Sequence, residues 1–302
     1  MTMLAIRRDR ENPTWSMRAI SADSELLHRG AQSLAGRIHS VFDKAVNVRS
    51  IDGSLWAMAA KTAPDAPATI RLDVTSLHRY GLSAGKPVAV SDETVVIAAC
   101  LTVDLGAAAP WDPSRSHGPL DTHRVSVADG ALRRYGIRVE GRADLIGAAT
   151  SARIASAVAE IGRAVRRQDA AKVRAATASI VGLGVGLTPS GDDVLTGLVF
   201  AATQLGGPLD IVPEAVGAVA TDGATHDLSL TMLRAACRGR AAQPLAAVLA
   251  ALRGVGDVTE IVPLMADLIA IGHTSGTDQA EGLLAAVHMF MGMRGAECQP
   301  DH

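Results

Sequence analysis

The sequence predicts an α+β chain, with a small antiparallel β barrel or sandwich followed by a mostly α-helical region. Three observations carry this reading. From about residue 40 to 105, short β-prone runs alternate with turn residues. Beyond residue 114, long Ala-, Leu- and Val-rich segments place apolar residues three and four apart. Between the two patterns lies Pro110-Trp111-Asp112-Pro113-Ser114, a Pro- and Ser-containing stretch that reads as the boundary. A chain of 302 residues exceeds the usual size of one core, so two domains are expected. The boundaries read as a loose tail over 1–20, a β-rich domain over 21–113, and a helical domain over 114–302.

A helix over 21–35 leads the β-rich domain. The β runs follow at 41–48, 54–60, 69–74, 87–90 and 94–105, and they are cut by Asp52-Gly53, Pro64 with Pro67, Ser83-Ala84-Gly85 and Ser91-Asp92. Helices are expected over 120–135, 151–168, 170–181, 191–205, 213–220, 227–238, 244–252, 259–271 and 276–291. Hydrophobic residues form 48% of the chain but aromatics only 3%, so the core must be built from aliphatic side chains.

Composition also excludes several functions. A net charge of −2 leaves no electrostatic footprint for nucleic acid, and Arg133-Arg134 and Arg163, Arg166, Arg167 read as short solvated helix faces. Cys100, Cys237 and Cys298 are far apart and odd in number, which argues against a disulfide framework or a thiolate zinc site. The N-terminus mixes Arg7, Arg8, Asp9, Arg10 and Glu11 without an apolar core, and no run of about 18 uncharged apolar residues marks a membrane helix. Cytoplasm is the default expectation, with no membrane and no nucleic acid among the partners.

The chemistry concentrates in one run, Gly182-Leu183-Gly184-Val185-Gly186-Leu187-Thr188-Pro189-Ser190-Gly191-Asp192-Asp193, which leads into a helix. A shortened copy returns at Gly272-His273-Thr274-Ser275-Gly276-Thr277-Asp278. Both carry Ser-Gly-x-Asp-x-x-x-Gly-Leu, so Ser190, Gly191, Asp193, Gly197 and Leu198 answer to Ser275, Gly276, Asp278, Gly282 and Leu283. Glycines before a helix start leave backbone N–H groups open to an anion, at the positive end of the helix dipole. A Ser followed three residues later by Asp also approximates a capping box, and either copy alone would be only that. Capping asks for no glycine after the Ser, no glycines at 182, 184 and 186, and no second aspartate. Each glycine in a helical turn costs up to about 1 kcal/mol, so their number points to close approach by a ligand or by another backbone.

The same run, with Ile271 to Asp278, resembles the bacterial AllH family, long catalogued as a domain of unknown function and named for a subunit of the oxamate carbamoyltransferase of allantoin breakdown. His39-Ser40-Val41-Phe42-Asp43-Lys44-Ala45-Val46-Asn47 and Trp111-Asp112-Pro113 are similar to that family as well. The likeness covers most of residues 35–292. It implies phosphorolysis of oxalurate to oxamate and carbamoyl phosphate, or the same transfer on a related carbamoyl or acyl compound, carried out with an FdrA-like subunit and a second partner subunit on a small anionic substrate. It does not say which subunit holds the reacting groups.

Carbamoyl transfer to phosphate needs a seat for the phosphate, a donor to the carbonyl oxygen, and an acid or base for the nitrogen. The N–H groups of Gly184, Gly186, Gly191 and Asp192 suit the first two, helped by the hydroxyls of Thr188, Ser190, Thr274 and Ser275. Gly276 and Asp278 repeat the arrangement in the second copy. Asp192 and Asp193 would repel a bare phosphate. Either Asp193 caps the helix while Asp192 binds a divalent ion (Mg or Mn) bridging to the anion, or both point away. His273 is the candidate acid or base, against a role as a cap. The loop around Thr225, His226, Ser229 and Thr231 is a third candidate wall. His39 and Asp43 read as polar edge residues. Nucleophilic catalysis has little support: there is no Gly-x-Ser-x-Gly elbow, and Cys237 reads as a buried inert thiol. The glycine run also lacks the Gly-Lys-Ser/Thr ending of a phosphate-binding P-loop. Two further functions stay open beside the transferase subunit: a non-catalytic phosphate- or nucleotide-binding subunit, and a metal-dependent hydrolase.

Overall fold

A computed structural model describes residues 15–29, 31–91, 93–113, 116–136 and 145–297. Residues 1–14 of the expected tail, Asp92, Ser114 and Cys298 lie outside the described residues. The chain forms two compact units, Met1–Asp112 and Pro113–His302.

The first unit is a closed eight-stranded barrel. Its strands are β1 (Trp15–Asp23), β2 (Gly36–Val41), β3 (Ala45–Ser50), β4 (Leu55–Ala60), β5 (Thr69–Leu72), β6 (Pro87–Val90), β7 (Thr94–Ile97) and β8 (Leu101–Asp104). They run in the order β5-β4-β3-β2-β6-β7-β8-β1, and a β5–β1 pairing closes the ring. A ninth strand, β9 (Ala109–Trp111), adds to β1 in parallel. Alternation builds the interior: Val46 and Val48 on β3, Val95 and Ile97 on β7, and Leu101 and Val103 on β8 all turn inward and are fully or almost fully buried. Trp56 is almost fully buried and donates its indole N–H to the Leu34 carbonyl at 3.0 Å.

Four local expectations are refined here. Residues 15–20 belong to β1, a strand that pairs with β5, β8 and β9, and are not part of a loose tail. The helix expected over 21–35 is the end of β1 followed by α1 (Ser24–His28) and α2 (Ala31–Leu34). The sheet is mixed, because β1–β8, β1–β9 and β4–β5 are parallel. The run 94–105 is a hairpin whose turn sets Ala98 and Ala99 at φ +49° and +55°. Alanine rarely takes this conformation, so no Asn or Gly announced the turn.

The second unit is helical: α3 (Thr122–Gly136), α4 (Leu145–Arg166), α5 (Ala170–Ala178), α6 (Ser190–Leu205), α7 (Ile211–Val219), α8 (Asp227–Cys237), α9 (Gln243–Leu252), α10 (Ile261–Ile269) and α11 (Ser275–Glu297). Every residue of α6 from Gly191 to Ala202 is buried, which makes it the axis of the unit. Beside it, α11 runs in the same direction and in register. Gly197 sits on the backbone of Gln279 and Leu283, and Gly282 sits on that of Val194 and Leu198. A Cβ on either glycine would stand 1.9 Å from the facing carbonyl oxygen, so only glycine permits this approach. No described helix is long and apolar enough to cross a membrane.

Candidate functional site

The two Ser-Gly-x-Asp turns meet. Because α6 and α11 are parallel and in register, their N-termini lie side by side, and Thr188 Oγ1 and Ser275 Oγ are 2.9 Å apart. Residues 183–188 and Ser190 from the first turn and Gly272–Ser275 from the second line a cavity of about 620 Å³. Gly147, Thr150 and Ser151 on α4 complete its wall. Of the expected site residues, Gly184, Gly186, Thr188, Ser190, His273, Thr274 and Ser275 line this space. Asp192, Asp193, Gly191, Gly276 and Asp278 lie behind it and are buried.

The glycines behind the cavity pack against backbone. A Cβ on Gly191 would stand 2.0 Å from the Ile180 oxygen, and one on Gly276 would stand 1.9 Å from that of Leu268. Their amides are spent internally as well: Gly191 N–H bonds to the Leu183 carbonyl at 2.8 Å, Asp192 N–H to Pro189 at 2.9 Å, and Gly276 N–H to Ile271 at 3.0 Å. These N–H groups, expected to face an anion in the first copy, are closed to one. The amides of residues 184–188 differ, since none has a hydrogen-bond partner among the described residues. Gly184 enables that loop: its φ is +132°, and a Cβ there would lie 2.6 Å from the Ser190 nitrogen. Around Gly186 the space is open. Val185 and Leu187 stand at the rim as exposed apolar side chains, Val185 at 87% exposure.

Asp192 is a brace. Its Oδ1 accepts from Gly182 N–H at 2.8 Å and its Oδ2 accepts from the Thr225 hydroxyl, so one carboxylate ties the glycine loop and the loop before α8 to the start of α6. Both of its oxygens are thus engaged in hydrogen bonds within the protein. Among the described residues no group of three or more His, Cys, Asp or Glu could hold a metal. The loop before α8 is thus a support for the glycine turn. Besides Thr225, the Ala224 carbonyl packs on Gly182, and Ser229 donates to the Leu187 carbonyl at 3.4 Å.

Asp193 does not cap α6. Pro189 holds the position before that helix, and no side chain caps it. The Asp193 carboxyl points to α11, where Gln279 Nε2 donates to Oδ1 at 3.2 Å. Burial pushes this carboxyl up to about 7; Gln279, Ser275 and Thr188 pull it back, and the charge of Asp278 adds to the rise. Asp278 is the matching residue of the second copy and has no exposed surface. Cys237 is partly buried, and that burial lifts its thiol to about 11. In the barrel, Asp43 accepts from Ser76 and His39 contacts Ser40.

Sequence reasoning missed Gly147, Thr150, Ser151 and Gln279. The first three form a small polar patch opening an Ala-rich helix, a visible signal. Gln279 stands where the first copy has Val194, and only the helix pairing reveals its role.

The arrangement therefore offers two parallel helix N-termini, open amides and a cluster of hydroxyls around one cavity, with no Lys or Arg in its lining. Such a site suits an anion or a polarised carbonyl held by dipoles. Comparison with known families agrees with the resemblance. The family described as oxamate carbamoyltransferase subunit AllH matches residues 180–287, and the AllH family N-terminal domain matches residues 18–110. No solved structure matches the chain. The barrel, the paired turns and these two matches together place the chain in the AllH family of oxamate carbamoyltransferase subunits.

Proposed function

We propose that the cavity between residues 183–190 and 272–275 is the anion and carbamoyl site of a carbamoyltransferase subunit. The ligand is carbamoyl phosphate or phosphate, with oxalurate or oxamate as the second substrate. The observation that carries this reading is the meeting of the two turns at Thr188 and Ser275, beside amides with no internal partner. Two parallel helix dipoles repel each other at their N-termini, and a bound anion offsets that cost. The obstacle of two nearby aspartates falls away, because Asp192 is bonded to Gly182 and Thr225, and Asp193 is held largely neutral up to about pH 7. His273, exposed on the cavity wall, is placed to exchange a proton with the bound ligand. A divalent ion is left out of this mechanism.

Family membership implies partner subunits. The exposed Val185 and Leu187 at the cavity rim are the surface on which an FdrA-like partner would close the site and exclude water. Carbamoyl phosphate added to the isolated chain is expected to raise its melting temperature, and Ser275→Ala is expected to weaken that shift by about tenfold in affinity. No shift with either phosphate or carbamoyl phosphate rejects the site. A shift without turnover, even when all partner subunits are present, favours the binding-subunit reading instead.

A further inference from the structure

One buried group beside the cavity is unused by this account. Asp193 is 4% exposed, and its Oδ2 has no hydrogen-bond partner among the described residues. The hydroxyls of Thr188 and Ser275, bonded to each other at 2.9 Å, both act on this carboxyl, and both residues line the cavity. Burial of a carboxyl without a cation costs free energy, and a fold keeps such a group where its proton is useful.

We propose that Asp193 is the proton-holding positioning residue of the cavity, acting on the ligand through the Thr188–Ser275 hydroxyl pair. The inference rests on the carbamoyl-transfer reading above. In phosphorolysis a phosphate oxygen bonds to the carbamoyl carbon and the carbon–nitrogen bond breaks, its electron pair leaving on nitrogen. That nitrogen must gain a proton, and the attacking hydrogen phosphate must lose one. The acid form of Asp193 gives its proton to Ser275 Oγ while Ser275 passes its own to the departing nitrogen. The phosphate proton returns through Thr188 to Asp193, so nothing is consumed.

The surrounding charges favour this state. Asp192, on the same helix, is bonded to Gly182 and Thr225. His273 precedes α11, and His226 and Asp227 open α8; of the charged groups nearby, Asp278 on α11 is the one that bears on Asp193, and it favours the acid form. Burial sets the carboxyl to about 7, within reach of a proton donor and acceptor at neutral pH.

The test uses the chain assembled with its partner subunits. It compares wild type, Asp193→Asn, Ser275→Ala and Ser275→Thr by kcat against pH, and by calorimetric titration with inorganic phosphate. The wild-type kcat is expected to fall as pH rises through about 7. Asp193→Asn should bind phosphate within a few-fold of wild type but lose about 100-fold in kcat, with the limb near pH 7 gone. Ser275→Ala should lose a similar factor, and Ser275→Thr should recover part of it. Wild-type kcat and an unchanged limb in Asp193→Asn overturn the proposal while leaving the carbamoyl site intact. If Asp193→Asn does not assemble, an unaltered kcat in Ser275→Ala overturns it equally. A wild-type chain that binds neither phosphate nor carbamoyl phosphate refutes the functional reading itself.

Discussion

The two Ser-Gly-x-Asp turns share a pattern and differ in use. In both copies the repeated glycines let backbones touch: Gly191 against Ile180 beyond α5, Gly276 against the end of α10, and Gly197 and Gly282 across the α6–α11 crossing. What differs lies outside the shared pattern. The first copy has a longer loop with open amides, braced by Asp192; the second has Gln279, which reaches across to Asp193. The repeated glycines are therefore scaffold, and the chemistry falls to Asp193 and Ser275 of the pattern together with the residues that depart from it.

Titration is the strongest way to sharpen that contrast. With a carboxyl near 7 in the folded chain against 3.8 ordinarily, the folded state holds the extra proton between those values. The contribution of Asp193 to stability is thus full below about pH 4, falls as pH rises to about 7, and is then level. The loss from Asp193 amounts to about 4 kcal/mol. Urea unfolding at pH 4 and pH 8 is expected to show Asp193→Asn losing less stability than wild type by about that amount. Equal losses would show that the buried carboxyl is not carrying a proton.

The scaffold claim breaks next. Gly197→Ala and Gly282→Ala each push a Cβ into a facing carbonyl, and each is expected to cost about 3 kcal/mol, near the top of the range for overpacking. Gly186→Ala, with φ +91° and open space around it, should cost only about 1 kcal/mol. Denaturant midpoints measure all three, and a large difference between Gly197 and Gly282 would break the symmetry of the crossing.

Asp192→Ala removes two bonds from the first copy alone and should cost about 2 kcal/mol. Chelation of divalent ions should leave the wild-type melting temperature unchanged; a drop on chelation would restore the ion to the site. Smallest of all, Val185→Ser with Leu187→Ser should change stability by no more than about 0.5 kcal/mol, both side chains being exposed, while weakening assembly in sedimentation experiments.

Much of this was legible in the sequence. The change from short runs to long helical periodicity placed the barrel and the helices, and the repeat named both turns before their contact was known. Illegible features share a cause: each depends on a partner distant in sequence. Nothing local marks residues 15–20 as a barrel strand, since β1 is held by residues 69–72, 101–104 and 109–111. Nothing in Asp192-Asp193 says that one carboxylate will bind Gly182 and Thr225 while its neighbour turns toward Gln279. The glycines were legible as sites of close approach, and the helix crossing shows that what approaches four of them is backbone.

The first strand of the barrel also sets a timetable for synthesis. β1 leaves the ribosome before every other element of its sheet, yet it is the stave that joins β5 to β8. Until residue 104 has emerged, the growing sheet keeps two raw edges, and the nascent chain must be kept from joining those of a neighbour.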